Sequence, residues 1–158
     1  MNILPSETLM KIEERFTIDA PSKAVWAFLI DPERVAAALP GAEISHKVDD
    51  TTFKGNMAVQ VGPISANYRG TVSFELDESA KIALVHAKGQ GMAGMGNADM
   101  RMTSKVDPVS DTETEVTVVA DFAISGMLAQ FGRTMIEEVS KNMFQEFTVV
   151  LKQELEQR

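Results

Sequence analysis

The chain has 158 residues, of which 44% are hydrophobic and 24% charged, and its net charge is −8. This composition is that of a folded globular protein, and we expect residues 1–158 to form one domain with its core between about residues 10 and 157. The negative charge argues against nucleic acid and anionic membranes as partners. The absence of cysteine excludes disulfides, thiolate metal sites and a cysteine nucleophile.

The first part of the chain predicts one strand and two short helices. Residues 11–18 alternate between apolar and polar side chains, which is typical of a strand with one buried face. Pro21 then suits the first turn of a helix. A second helix begins where Asp31 can cap it and Pro32 can take its first position, and it ends at residues 39–41.

Glu14 breaks the pattern of the first strand, because it falls on the same face as Ile12 and Phe16. A bulge or an edge position in the sheet explains such a residue. A functional carboxyl group is the alternative.

The middle of the chain predicts six further strands joined by turn residues. Period-2 alternation with turns between the runs indicates antiparallel strands with one buried face. The predicted strands are residues 44–48, 53–61, 64–76, 82–88, 98–106 and 116–124.

The last segment predicts a long amphipathic helix. Apolar residues recur every four positions from Phe131 to Leu151, which indicates a helix of about 30 residues and about 45 Å. A curved seven-stranded antiparallel sheet and this helix must bury their apolar faces against each other. The predicted fold is therefore α+β, in the order β-α-α-β6-α: a helix-grip whose sheet wraps around the C-terminal helix.

The polar residues form no catalytic constellation. His46 and His86 lie on different predicted strands, and nothing places a second metal ligand beside either. His86 shares its register with Ile82 and Leu84, which predicts that it turns inward. A nucleophile elbow of the form G-x-S-x-G is absent.

Residues 89–96 are rich in glycine but fit no phosphate-binding motif, because they precede a strand rather than a helix. They form either a simple hairpin connection or a lid over a pocket. In the lid hypothesis Gly91 lies in the flexible segment, and the apolar tips Met92 and Met95 gate the pocket or touch a membrane or partner.

The inward positions of the predicted sheet and helix are apolar and rich in methionine, a flexible residue that adapts to irregular ligands. The predicted ligand pocket comprises Met57, Val59, Tyr68, Met100, Met102, Phe122, Phe131, Met135, Val139 and Met143. An apolar lining with one or two polar groups, Tyr68 and His86, is typical of a hydrophobic-ligand site. A closed core made of the same residues is the alternative, and periodicity does not separate the two.

Seven short motifs in the chain also occur, in the same order, in one known family. They are Ala20-Pro21 with Val25-Trp26, Leu29-x-Asp31-Pro32-Glu33, Leu39-Pro40-Gly41-Ala42-Glu43, Val61-Gly62-Pro63-Ile64, Tyr68-Arg69-Gly70, Gly89-x-Gly91 and Gly126-x-Leu128-Ala129-Gln130-Phe131-Gly132. With these motifs the chain resembles the CoxG family of carbon monoxide dehydrogenase proteins, a branch of the START/Bet v 1-like (SRPBCC) superfamily.

The resemblance implies a non-enzymatic accessory protein that assists the maturation or membrane recruitment of a molybdenum hydroxylase such as CO dehydrogenase. The superfamily's cavity implies a hydrophobic small molecule, lipid-like or quinone-like, as ligand and no other cofactor or metal. Two alternatives are a polyketide cyclase/dehydratase-like enzyme that uses Tyr68, His86 and Glu14, and a pure assembly partner with a filled core.

The same resemblance, together with the sequence, sets expectations for location. The N-terminal residues lack the basic and apolar regions of a signal peptide, so the cytoplasm is the expected compartment. Some family members carry a C-terminal tail that anchors them to a membrane, whereas this chain ends at Arg158. We therefore expect no transmembrane segment and at most peripheral contact with a membrane.

Overall fold

The computed structural model describes residues 8–156, which form seven strands, three α-helices and one 3-10 turn. In chain order these are β1 (Thr8–Ile18), α1 (Ser22–Leu29), α2 (Pro32–Ala38), β2 (Ala42–Lys47), β3 (Thr52–Val61), β4 (Ile64–Asp77), β5 (Ile82–Gly91), β6 (Asn97–Pro108), β7 (Thr114–Ile124), the 3-10 turn (Leu128–Phe131) and α3 (Arg133–Leu155).

The seven strands form one curved antiparallel sheet in the order β1-β7-β6-β5-β4-β3-β2. Strands β2 to β7 follow one another as a meander, and β1 closes the other side by pairing with β7. The long helix α3 crosses the concave face and approaches the sheet most closely at β1 and β3. The predicted α+β helix-grip, with its element order, is confirmed.

Helices α1 and α2 begin as the sequence predicts. Pro21 precedes α1 in an extended conformation, and Pro32 is the first residue of α2. Asp31 caps α2, because its Oδ1 accepts hydrogen bonds from the backbone N–H groups of Glu33 (3.1 Å) and Arg34 (3.3 Å). These two short helices cover one end of the sheet.

Helix α3 is shorter than predicted, with 23 residues instead of about 30. Gly132 has a φ of +89°, which right-handed helices do not accommodate, and a 3-10 turn precedes it. The apolar pattern of Leu128 and Phe131 continues that of the helix, so periodicity alone joins two elements that the backbone separates.

The buried core of the described residues consists of two clusters. The lower cluster joins α1, the ends of β1, β6 and β7, and the C-terminal half of α3; its members are Ile18, Ala20, Val25, Trp26, Phe28, Ala38, Ala83, Val106, Val116, Phe147 and Leu151. The upper cluster joins β1, β3, β4, the 3-10 turn and the start of α3; its members are Met10, Ile12, Val61, Ala66, Tyr68, Ile124, Leu128, Ala129 and Ile136. Helix α3 therefore contacts both clusters.

Candidate functional site

Strand pairing shows which side chains share the concave face. Ile12 of β1 pairs with Ala120, Ala120 with Met102, Met102 with Val85, and Val85 with Phe74. Because side chains alternate along a strand, the inward positions are even-numbered in β1, β4, β6 and β7 and odd-numbered in β3 and β5. Both core clusters lie on this face.

A set of inward residues between the two clusters stays partly exposed. They are Val72, Phe74, Val85, Ala87, Met100 and Met102, and they pack against neither cluster. An inward side chain that keeps accessible surface must border space that a water molecule can reach. We call this region, from the row of Ala87 to the row of Val85, the central gap.

The predicted pocket residues on the strands all lie on the concave face. Tyr68 is buried in the upper cluster, and Met57, Val59 and Phe122 pack against that cluster. The two remaining strand residues, Met100 and Met102, line the central gap.

The predicted pocket residues of the C-terminal segment are distributed less uniformly. Phe131, in the 3-10 turn, and Val139, in α3, pack against the upper cluster. Met143 is half-buried and packs against neither cluster, so it sits on α3 between the residues that hold each end of the helix.

Met135 lies outside this set, since 37% of its surface is exposed beside Gly62 in the β3–β4 turn. An α-helix turns by about 100° per residue, so a repeat of four residues drifts by about 40° each time. Between Met135 and the fully buried Leu151 the drift amounts to about 160°. A strict four-residue repeat therefore predicts too long an inward stripe.

Tyr68 supplies an unpaired polar atom at the upper side of the gap. The residue is 7% exposed, and its hydroxyl group is buried without a hydrogen-bond partner among residues 8–156. Burial raises the pKa of the phenol above its ordinary value. A buried hydroxyl without a partner costs about 1–3 kcal/mol, so Tyr68 is a candidate donor to a bound ligand.

A transverse row of small residues crosses the concave face next to Tyr68. Gly55, Gly70, Gly89 and Ala98 pair in succession on β3, β4, β5 and β6. A Cβ at Gly70 would collide with the carbonyl oxygen of Lys88, which shows how closely the two backbones approach. The row leaves the middle of the sheet without bulky side chains, which keeps space open there. The sequence analysis took these glycines for turn residues and missed the row.

His86 points away from the gap, so the predicted inward orientation is wrong. It lies on the convex face, where its Nε2 is 3.1 Å from Oδ1 of Asp99. Ile82 and Leu84 share that convex face, and 42% of Leu84 is exposed. Both faces of β5 are apolar, so alternation did not reveal which one is buried.

Glu14 lies on the concave face without a bulge. The pairing of β1 with β7 is unbroken from Thr8 to Ile18, and Glu14 stands opposite Val118. The predicted bulge is therefore absent, whereas the predicted edge position is correct, because β1 is an edge strand. Glu14 is half-buried.

The glycine-rich segment is shorter than predicted, because β5 continues to Gly91 and residues 92–96 form the connection. Gly91 therefore belongs to a strand and not to the loop. Met92 is 50% exposed at the tip, whereas Met95 packs against the upper cluster. One predicted tip thus reaches solvent and the other seals the core.

Two surface grooves lie elsewhere on the molecule. One, of about 410 Å³, runs between α2 and the edge strand β2. The other, of about 480 Å³, lies at the edge of β1 near Arg133 and includes Phe122. No helix of residues 8–156 is long and apolar enough to cross a bilayer.

Comparison with known proteins identifies one matching family. The family model for CoxG, a component of carbon monoxide dehydrogenase, matches residues 15–156, which is most of the chain. No individual curated protein matches the sequence significantly.

Several solved structures share the fold. A conserved protein from Geobacillus kaustophilus superposes with a TM-score of 0.83 at 16% identity, over 92% of this chain and 94% of that one. The Zhui aromatase/cyclase from Streptomyces sp. R1128 gives 0.69 at 16% identity, over 93% of both chains. A START superfamily protein from Mycobacterium smegmatis gives 0.64 at 11% identity, over 92% and 97%. At these identities the likeness shows the fold alone.

Proposed function

Because the chain belongs to the CoxG family of carbon monoxide dehydrogenase proteins, we propose that it binds a hydrophobic small molecule, lipid-like or quinone-like, in the central gap. In this proposal it is a non-enzymatic accessory protein of a molybdenum hydroxylase of the CO dehydrogenase type, and it assists that enzyme's maturation or membrane recruitment. The family and the START-like fold support a ligand-binding role.

The observation that carries the proposal is the central gap itself. Folded proteins pack their interiors to the density of organic crystals, so inward residues such as Met100 and Met102 are ordinarily buried. Here they retain accessible surface while the clusters above and below them are closed. An apolar, methionine-rich space with one unpaired hydroxyl group suits an apolar ligand that carries a hydrogen-bond acceptor.

An enzymatic role on the same fold requires polar groups that converge on a substrate. Of the three candidates, His86 lies on the convex face, whereas Glu14 and Tyr68 lie on β1 and β4 with three strands between them. This arrangement favours a binding role over a polyketide cyclase/dehydratase-like activity. A pure assembly partner with a filled core would leave Met100, Met102 and Ala87 fully buried, which they are not.

Two substitutions on one strand test whether the gap is empty and binds ligand. Ala87 and Ala83 both point inward from β5, but Ala87 lies in the gap and Ala83, 2% exposed, lies in the lower cluster. We expect Ala87→Leu to leave the free energy of unfolding within about 0.5 kcal/mol of the wild type, because its side chain enters free space, whereas Ala83→Leu should cost about 1–3 kcal/mol through overpacking. Urea unfolding followed by circular dichroism measures both.

Native mass spectrometry of the purified protein, combined with lipid extraction, then examines the ligand directly. We expect the wild type to carry a co-purified apolar molecule and Ala87→Leu to carry much less of it. If neither protein carries or takes up an apolar molecule, and both substitutions destabilise equally, the region is a packed core and the ligand-binding role is wrong.

A further inference from the structure

We propose that Glu14 makes the central gap selective for uncharged ligands by excluding amphiphiles with a negative headgroup, such as fatty acids. The inference rests on the proposed function, since it defines the chemical class of ligand that the same gap accepts. It concerns a residue to which the binding role assigns no part.

The charge inventory of the concave face supports this selectivity. Among the inward positions of β1 and β3 to β7, within the described residues, Glu14 is the single charged residue. No lysine, arginine or histidine faces inward from these strands, and His86 is turned to the convex side. A carboxylate ligand would therefore meet one like charge and no counter-charge.

The packing around Glu14 leaves its carboxylate uncompensated. Neither an ion pair nor a hydrogen bond to its side chain occurs among residues 8–156. Its neighbours on the inward face of β1 are Ile12 and Phe16, and the Phe16 ring meets that of Phe144 on α3 at 5.4 Å. The charged residues of α3 nearest in sequence to this contact are Lys141, which is exposed, and Glu137, which lines the groove at the β1 edge.

The position of Glu14 places it next to the gap rather than at a distance from it. Its row across the sheet continues through Val118 and Ser104, and the adjacent row contains Met102. Successive inward residues of a strand are about 7 Å apart. At that separation, and with the partial screening that a half-buried site allows, like charges repel strongly enough to weaken binding by tenfold or more.

A pair of probes that differ only in charge provides the test. Cis-parinaric acid and its methyl ester fluoresce on entering an apolar site, and both are titrated at pH 8 and low salt into three proteins. These are the wild type, Glu14→Gln, and the matched control Glu13→Gln, which removes a neighbouring charge from an exposed, outward position. Circular dichroism confirms that each variant is folded.

The ratio of the two dissociation constants, acid over ester, is the decisive quantity, because it cancels changes that affect both probes. We expect Glu14→Gln to lower this ratio about tenfold by tightening the acid alone, and Glu13→Gln to leave it unchanged. A ratio that is equal in all three proteins, or lowered equally by both substitutions, overturns the role of Glu14 while the ester still reports ligand binding. If the ester fails to bind the wild type, the proposed function fails and this inference fails with it.

Discussion

Tyr68 is the residue whose physical state reports most directly on the gap, and it is the one tyrosine of the chain. Burial raises the pKa of its phenol, because the charged phenolate loses hydration in the apolar interior. Absorbance at 295 nm therefore follows this single group without interference from another tyrosine. We expect a titration midpoint above pH 10 in the folded protein, and near 10 in denaturant.

The same shift predicts how stability depends on pH. Between the unfolded and the folded pKa the native state holds the proton that the unfolded state has lost. The contribution of Tyr68 to folding is therefore complete below pH 10 and decreases as the pH rises above it. A native midpoint at or below 10 would show that the hydroxyl group is hydrated, contrary to its burial.

Removal of the hydroxyl group separates its cost in the free protein from its use in the complex. Because it is buried without a partner, Tyr68→Phe should raise the free energy of unfolding of the ligand-free protein by about 1 kcal/mol. If the hydroxyl group donates to a ligand, the same variant should bind that ligand about five- to tenfold more weakly. Urea unfolding of delipidated protein and titration with a ketone-bearing apolar probe measure the two effects.

A loss of stability in delipidated Tyr68→Phe would contradict this account, since it would mean that the hydroxyl group already has a partner. The opposite signs expected for stability and binding also exclude a simple packing defect, which would weaken both.

At the level of single elements, the transverse row of small residues determines how the sheet bends. Gly70→Ala places its Cβ against the carbonyl oxygen of Lys88, and backbone atoms of a paired strand have no room to withdraw. Gly89→Ala, on the paired position of β5, meets only Cβ of Tyr68 at 3.2 Å. We expect a loss of more than about 3 kcal/mol for the first variant and about 1 kcal/mol for the second. Chemical denaturation compares them, and equal losses would mean that the close approach of β4 and β5 is not what requires glycine.

The elements also show what the sequence reveals and what it conceals. Strands with clean alternation, such as β6 and β7, are predictable because a buried and a wetted face differ in polarity. Strand β5 is not, since Ile82 and Leu84 make its outer face as apolar as the inner one. Its inward residues, Ala83 and Ala87 among them, are small rather than especially hydrophobic. A hollow site is marked by small residues, which period analysis weights least.

The break between the 3-10 turn and α3 was concealed for a different reason. Hydrophobic spacing continues across Gly132, and only the backbone angle of that residue separates the two elements. The glycine was visible in the sequence, yet glycines inside helical patterns are tolerated often enough that one alone does not establish a boundary. The candidate site was thus predictable as a face, whereas its limits along α3 depended on local backbone geometry.

For the molecule as a whole, α3 connects two cores that the sheet alone keeps apart. Its N-terminal half contributes Ile136 to the upper cluster, and its C-terminal half contributes Phe147 and Leu151 to the lower one. The aromatic contact of Phe28 with Phe147, at 6.3 Å, ties the lower end of the helix to α1. Between these attachments the helix passes over the central gap, so a ligand there would touch both the sheet and the one element that joins the cores.

An alanine scan along α3 tests this division of the molecule. Ile136→Ala and Leu151→Ala each remove a side chain that is at most 4% exposed, and each should cost about 2–5 kcal/mol. Met143→Ala, midway between them, should cost less than about 1 kcal/mol in delipidated protein, because Met143 packs against neither cluster. With a bound apolar ligand, Met143 gains a contact, so its substitution should then reduce the ligand-dependent rise in melting temperature while the other two leave that rise unchanged. A uniform cost along the helix in the ligand-free protein would instead describe one continuous core, in which α3 has no span free to face a ligand.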